Sequence, residues 1–404
     1  MKDFIKKSQK FIINSYRRQP IAIVRGKGMK VWDSEGRQYL DFIAGLATVN
    51  LGHSHPKVSK AICEQARKIM HTTNIYHILP QIELAELLVR NSVMDRAFFC
   101  NSGAEANEAA IKLARKYSRE ISKRGPKIIS TINSFHGRTY GGLSATGQDK
   151  FKKGFEPLLP GFGFVEFGNI QQLKKAVDKK TCAVILEVVQ AEGGVNIAPK
   201  GYFSAVRKLC DRHKMLLILD EVQTGMGRLG RLFGYEWAGV KPDILTLAKA
   251  LGNGFPIGAM LARKEVAEVF VPGSHASTFG GNFLASAAAL ASVKAIIEQK
   301  LWQKAQKTGA YFKSRLLGLQ QKHPSIKQVR AAGMMLGAEL AIDKCERVLE
   351  AMRDKGFLIN LTQGRVLRFI PPLIVSKTEI DKMINCLDAI LTRFDPEVIM
   401  KRKP

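Results

Sequence analysis

A chain of 404 residues with 46% hydrophobic residues is long enough for more than one packed unit and too apolar to be disordered. Its 63 basic and 35 acidic residues leave a formal charge of +28, a value that invites a nucleic-acid reading. The basic residues are scattered, however, in short pairs such as Lys6-Lys7, Arg17-Arg18 and Lys174-Lys175, without interleaved aromatics, so a surface that favours small anionic molecules is expected instead.

The N-terminal "MKDFIKKSQKFIINSYRRQP" lacks the apolar stretch of a secretory signal. It resembles a transit peptide only weakly and is read as a structural arm. "IAIVRGKGMKVWDSEGRQYLDF" breaks into short strands at glycine turns. "PKVSKAICEQARKIM" carries Val58, Ile62, Gln65 and Ile69 at helical spacing. From about residue 95 to 275, apolar runs alternate with helical segments: "RAFFCN", "KIISTI", "CAVILEVV" and "MLLILDE". Continuous rather than alternating apolar runs indicate strands covered on both faces, and their alternation with helices indicates a mostly parallel α/β sheet. Past residue 320, "GMMLGAEL" and "RVLRFI" read as strands. "EIDKMINCLDAILTRF" reads as a helix with Ile380, Met383, Ile384, Leu387 and Leu391 on one face. The expected organisation is an arm and part of a small domain over 1–55, a large domain over 56–290, and a smaller α+β domain over 291–404. The longest uncharged stretch, Val269 to Val293, is solidly apolar only from Phe283, too short to span a membrane. Cys63, Cys100, Cys182, Cys210, Cys345 and Cys386 form no CxxC and are expected as reduced core thiols of a cytoplasmic protein, with no metal site.

Five stretches carry chemistry. In "CNSGAEANEAAIKLARKY", Ser102 to Glu105 fits a capping box after a strand. That is either an ordinary helix start or a phosphate cradle made of free N–H groups and the helix dipole. "MLLILDEVQTGMGRLG" ends a strand on Asp220, where an acid could hold a metal, a ribose or a protonated ring nitrogen, or be a plain surface acid. Lys249, in "DILTLAKALGNGFPIG", is a surface lysine or an amine whose pKa burial depresses until it becomes a nucleophile. "NSFHGRTYGG" offers the aromatic pair Phe135 and His136, with Arg138 suited to a carboxylate. "RVLRFIPPL" places Arg368 in an apolar run, where it needs a partner, and "EVVQAEGGV" offers Glu187 and Glu192. A phosphate cradle, a ring, an acid, a lysine and two arginines together make the equipment of a pyridoxal 5'-phosphate enzyme.

Over nearly its whole length the sequence resembles the class III (ω-amino) aminotransferases of fold type I. The resemblance runs from "VWDSEGRQYLDFIAGLATVNLGHSHP" through "FHGRT", "LDEVQTGMGRLG", "TLAKALGNGFPIGAM" and "STFGGN" to "LRFIPPL". It implies Lys249 as the Schiff-base lysine and Asp220 as partner of the pyridinium nitrogen. Phe135 and Val222 would lie on the two ring faces, with Gln223 at the phenolic oxygen. Ser102, Gly103 and Ala104 would hold the phosphate, joined by Thr278 from a neighbouring subunit, hence a homodimer with shared sites. Arg138 and Arg368 would bind substrate carboxylates, Glu192 would neutralise Arg368 when an ω-amine is bound, and Glu187 would lie in the substrate pocket. Val188 stands where the family often has proline, and Ala191 where glycine is usual. Ornithine-specific members place a tyrosine where this chain has Leu46, which favours an acylated substrate. The implied reaction moves the δ-amino group of N2-acetylornithine to 2-oxoglutarate, in arginine biosynthesis. Succinylornithine or succinyl-diaminopimelate come next, then free ornithine or 4-aminobutyrate. A basic nucleic-acid-binding protein is the alternative from another class.

Overall fold

The computed structural model describes residues 2–393. After a helix over Lys2–Phe11, the glycine-punctuated segment forms β1 (Ile23–Lys27), β2 (Lys30–Asp33) and β3 (Gln38–Asp41), an antiparallel meander. The next seven sheet-forming runs include every apolar run read as a strand between residues 96 and 220. They are β4 (Arg96–Cys100), β5 (Lys127–Thr131), β6 (Phe162–Val165) and β7 (Thr181–Glu187), a two-residue pair β8 (Val189–Gln190) and β9 (Asn196–Ile197), and β10 (Leu216–Asp220). Then follow β11 (Ile244–Leu247) and β12 (Gly258–Ala262). Seven of these make one sheet in the order β4-β12-β11-β10-β7-β5-β6. Strands β7, β10 and β11 are buried at every position, which is why their sequences are unbroken apolar runs.

Only β12 runs against its neighbours, antiparallel to both β11 and β4. The cause is local. The link from β11 is a 3-10 turn over Lys249–Leu251 and the tight turn Gly252-Asn253-Gly254, with Asn253 at φ 47 and Gly254 at φ 108. No crossover helix intervenes, and a short link can only return the chain antiparallel. Helix Gly103–Tyr117 lies on the sheet through Ala109, Ala110, Ile111, Leu113 and Ala114, packed with Ile185, Ile218 and Ile244.

The C-terminal part adds β13 (Ile326–Ala332), β14 (Met335–Leu340), β15 (Phe357–Leu358), β16 (Asn360–Thr362) and β17 (Val366–Phe369). Four of them form an antiparallel sheet, β13-β14-β17-β16, while β15 pairs in parallel with β3. The helix expected near the C-terminus covers Lys377–Leu391 and buries Ile380, Met383, Ile384, Leu387 and Leu391. Helix Pro56–Ala66 is shorter than its sequence pattern, ending three residues before Ile69. Four cysteines are buried as expected, but Cys63 is exposed and Cys386 half-buried: Cys63 lies on the outer face of its helix, away from Val58. Among the described residues no helix is long and apolar enough to cross a membrane.

One buried cation joins the parts. Arg228 is fully buried and donates to the carbonyls of Met334 (2.9 Å) and Pro371 (2.6 Å) and to Asn50 Oδ1. Asn50 in turn donates to the Met226 carbonyl. Among the described residues no carboxylate faces Arg228, and burial pushes its pKa down to about 9.

Candidate active site

Glu187 and Asp220 are the last residues of β7 and β10 and are register partners, so two acids stand side by side at the carboxyl end of the sheet. Ligands of open α/β sheets bind at that end. Lys249 sits two residues beyond β11, on the 3-10 turn rather than in the strand, at a left-handed φ of 48. A positive φ on a non-glycine residue is backbone strain of about 1–3 kcal/mol, a cost found where geometry serves function. These three residues line one cavity of about 380 Å³, together with Ser102, Gly103, Ala104, Phe135, Arg138, Glu192, Val222 and Gln223. Thr278 is exposed and lies outside it.

Burial lowers the Lys249 pKa to about 8, with Glu192 pulling upward and Arg368 pushing downward. About half of the amine is therefore neutral and nucleophilic near pH 8, where an ordinary lysine is almost wholly charged. Glu187 moves the other way: burial and then the Asp220 charge raise its pKa well above the carboxylate range. Its Oε1 accepts from the Phe135 backbone N–H (2.8 Å), which opposes that rise and fixes one wall of the cavity.

Asp220 is held on three sides. Oδ2 accepts from Asn107 Nδ2 (2.7 Å) and faces His136 Nδ1 (2.8 Å), while Oδ1 accepts from Val222 N–H (3.0 Å). Nδ1 donates to the carboxylate, and among the described residues the buried Nε2 has no hydrogen-bond partner. Asn107 also donates to the His136 carbonyl, and its own oxygen accepts from Thr246. A carboxylate has about four lone-pair sites. Three are taken, which leaves one for a proton donor in the cavity.

Helix Gly103–Tyr117 begins at Ser102, whose Oγ accepts from the Glu105 N–H at 3.2 Å. The capping box is modified: Glu105 reaches back to the Asn101 N–H instead of the Ser102 N–H. Gly103 and Ala104, whose first-turn N–H groups have no partner within the helix, line the cavity. A Cβ on Gly103 would stand 2.7 Å from Val222 Cγ1, so only glycine lets the helix start and Val222 share this space. An anion cradle, an apolar slot between Phe135 and Val222, an acid with one open acceptor and an amine with a depressed pKa fit a phosphorylated pyridine aldehyde.

At the far side Arg368 is 1% exposed. Its Nη1 donates to Glu192 Oε1 (2.7 Å) and Gln223 Oε1 (3.3 Å); Nε and Nη2 both donate to Asn360 Oδ1 (3.0 and 2.7 Å). Burial alone would raise the Glu192 pKa, but Arg368, with Lys249 and Gln223, more than offsets it and holds the carboxyl below its usual value. The Glu192 carbonyl accepts from Thr362 Oγ1 (2.6 Å) and Gln363 Nε2 (2.7 Å). Arg138 lies exposed at the cavity mouth, its guanidinium 4.1 Å above the Phe151 ring. Just before Thr48 of the cavity lining, Ala44, Gly45, Leu46 and Ala47 all have positive φ, a left-handed turn that presents Leu46 to solvent. Asp41 Oδ1 secures its start by accepting from the N–H groups of Ile43 and Ala44.

The sequence reading missed Asn107, Thr246 and Asn360. Asn107 did leave a signal, as a polar residue on the apolar face of its helix beside Ala110, Ile111 and Ala114. Asn360 left none, since its partner Arg368 comes from the next strand.

The sequence profile described as "Aminotransferase class-III" matches residues 12–391. The acetylornithine aminotransferase of Methanocaldococcus jannaschii is 52% identical over 391 residues, covering 96% of this chain and 98% of that protein. That of Caldanaerobacter subterraneus subsp. tengcongensis is 51% identical over 385 residues, covering 95% and 98%. Among solved structures, an ornithine aminotransferase from Toxoplasma gondii, crystallised with partial occupancy of PLP at its active site, superposes with a TM-score of 0.94. It is 34% identical and covers 98% of this chain and 96% of that one. The acetylornithine aminotransferase of Elizabethkingia anophelis gives a TM-score of 0.87 at 32% identity, covering 97% and 99%.

Proposed function

This chain belongs to the class-III aminotransferase family, and from that premise we propose that it transfers the δ-amino group of N2-acetylornithine to 2-oxoglutarate with pyridoxal 5'-phosphate. The observation that carries the reading is the Glu192–Arg368 pair in the same site as Lys249. One site must accept an uncharged methylene-amine end in one half of the cycle and an α-carboxylate in the other. An arginine neutralised by a glutamate that can withdraw suits both without leaving a buried charge unpaired.

Bound here, the cofactor supplies an electron sink. Asp220, oriented by His136 and Asn107, keeps its remaining lone pair for the ring N–H. Gly103 and Ala104 give backbone N–H groups to the phosphate, with Ser102 as the cap that shapes the turn. Phe135, Val222 and Gln223 line the cavity; the first two would confine the ring and Gln223 would meet its phenolic oxygen. Lys249 Nζ would hold the cofactor at its aldehyde end, and the same amine, when free, would carry a proton from the substrate carbon. Arg138 takes the carboxylate remote from the reacting carbon, and Arg368 takes the α-carboxylate of glutamate. Glu187 acts through Phe135 rather than on substrate. Thr278 serves the site of a second copy, so the working unit is a homodimer of a cytoplasmic enzyme. Its outward exposure supports that placement.

The test is a substrate panel of acetylornithine, succinylornithine, succinyl-diaminopimelate, ornithine and 4-aminobutyrate, each with 2-oxoglutarate. Acetylornithine should give the highest kcat/KM, and a higher value for free ornithine sinks the assignment. The visible absorbance of the purified protein, at roughly 400–430 nm, should vanish in Lys249→Ala.

A further inference from the structure

Arg368 poses a problem that the Glu192 pair does not solve. When Glu192 withdraws, a guanidinium that is 1% exposed must keep its position with its charge unspent. A second carboxylate would hold it but cancel it. The side chain that holds it is neutral. Asn360 and Arg368 are directly opposed register partners on β16 and β17. A single amide oxygen, Asn360 Oδ1, accepts from both Nε and Nη2. On the other flank of β17 the opposed residue is Gly337, which offers no side chain at all. Asn360 is thus the one β-ladder neighbour that grips the guanidinium.

The donor count shows what this leaves. Arginine has five N–H donors. Asn360 takes one from Nε and one from Nη2. Glu192 and Gln223 take the two on Nη1. One Nη2 hydrogen remains. Once Glu192 leaves, a hydrogen on each terminal nitrogen points away from Asn360, the pattern that a carboxylate binds in bidentate fashion. The same short strand also steadies the other half of the pair, because Thr362 and the adjoining Gln363 hold the Glu192 carbonyl.

We propose that Asn360 is a positioning residue that seats Arg368 through a neutral acceptor and so reserves its charge for the α-carboxylate of the oxoacid. The inference rests on the aminotransferase reading above and names a specificity element of that site. Neutrality, more than the hydrogen bonds themselves, is the essential property of the side chain.

The test is Asn360→Asp, nearly the same size with a charge added. Two quantities are compared with the unsubstituted enzyme. The first is the Kd for glutarate, a non-reacting dicarboxylate, by calorimetry on the holoenzyme. The second is kcat/KM for the two half-reactions run separately, acetylornithine on one side and 2-oxoglutarate on the other. The expected result is a Kd at least tenfold weaker and an oxoacid half-reaction at least tenfold slower, with the amine half within about twofold (tenfold being about 1.4 kcal/mol). An unchanged Kd, or an equal loss in both halves, overturns the proposal, since a merely structural role for Asn360 would not choose between halves. If Asn360→Asp does not fold, Asn360→Ser keeps a neutral acceptor on a shorter arm. It should retain the preference for the oxoacid better than Asn360→Ala, and equal values for the two overturn the proposal. Glutarate binding is read without turnover. A wild-type protein that transfers no amine therefore sinks the functional reading, while the Kd ratio still decides the role of Asn360.

Discussion

Replacing Glu192 by glutamine removes one charge from the site and almost no volume. In the resting protein Glu192 Oε1 lies 2.7 Å from Arg368 Nη1, with the glutamate side chain 26% exposed and the arginine 1%. Two charges about 4 Å apart attract by about 4 kcal/mol at an effective dielectric of 20. The partial exposure of Glu192 halves that to about 2 kcal/mol. An incoming carboxylate must overcome this before it can use Arg368. Glutamine keeps a neutral hydrogen bond of about 1 kcal/mol, which leaves a net gain of about 1 kcal/mol, so the variant should bind 2-oxoglutarate roughly 5-fold more tightly. The amine half should suffer, because a methylene end then faces an unpaired buried guanidinium, and kcat/KM for acetylornithine should fall at least about tenfold. Lys249 reports the change independently. Its pKa of about 8 is lowered by burial and raised by Glu192, so loss of the glutamate charge moves it further down. Capture of pyridoxal phosphate by the apoprotein needs the neutral amine. Its rate should rise through a midpoint near pH 8 in the wild type and at a lower pH in the variant. Stopped-flow half-reactions and the pH dependence of cofactor capture measure both. Weaker binding of 2-oxoglutarate, or a midpoint moved upward, refutes the account.

Three further outcomes follow from the geometry. Gly103→Ala places a Cβ 2.7 Å from Val222 Cγ1, so the helix start must shift. Cofactor affinity should drop about tenfold while the apoprotein Tm changes little, because alanine is the better helix former; equal affinity in a cofactor titration would show that Val222 yields instead. Arg228→Met strands three acceptors, at about 1–3 kcal/mol each, and recovers the desolvation cost of a buried guanidinium. A net loss of about 3 kcal/mol is expected in denaturant unfolding, and a variant as stable as wild type would mean that desolvation wins. Leu46→Tyr adds a hydroxyl-bearing ring at the left-handed turn two residues before Thr48 of the cavity wall. The ratio of kcat/KM for free ornithine to that for acetylornithine should rise, and a ratio that stays put removes Leu46 from the specificity argument.

Much of the large sheet was legible because its strands are buried on both faces. Thr181–Glu187 and Leu216–Asp220 could hardly be anything but core strands. Ser102 declared its helix by capping chemistry, and Lys249 by a charge at the end of an apolar run. Less was legible where structure depends on partners distant in sequence. Phe162–Val165 is a half-buried edge strand whose four residues carry a glycine. Ile326–Ala332 is exposed in its middle, so its pattern is not that of a core strand. The Asn107–Asp220–His136 network and the Asn360 seat join residues 29 to 113 positions apart in the first case and two strands in the second. The reversal of β12 follows from the length of one turn, a quantity that hydrophobic patterning does not encode.

The grip of Thr362 and Gln363 on the Glu192 carbonyl has a kinetic consequence. With the main chain pinned, exchanging one substrate class for the other needs only rotation about the few side-chain bonds of one glutamate. Rotamer changes of exposed side chains take picoseconds to nanoseconds, whereas loop and domain movements take microseconds or longer. Glu192 is partly open to the cavity, so its swing belongs near the fast end of that range. On the switching role proposed for Glu192, alternation between two partners of different charge then costs a side-chain movement rather than a loop movement on each turnover.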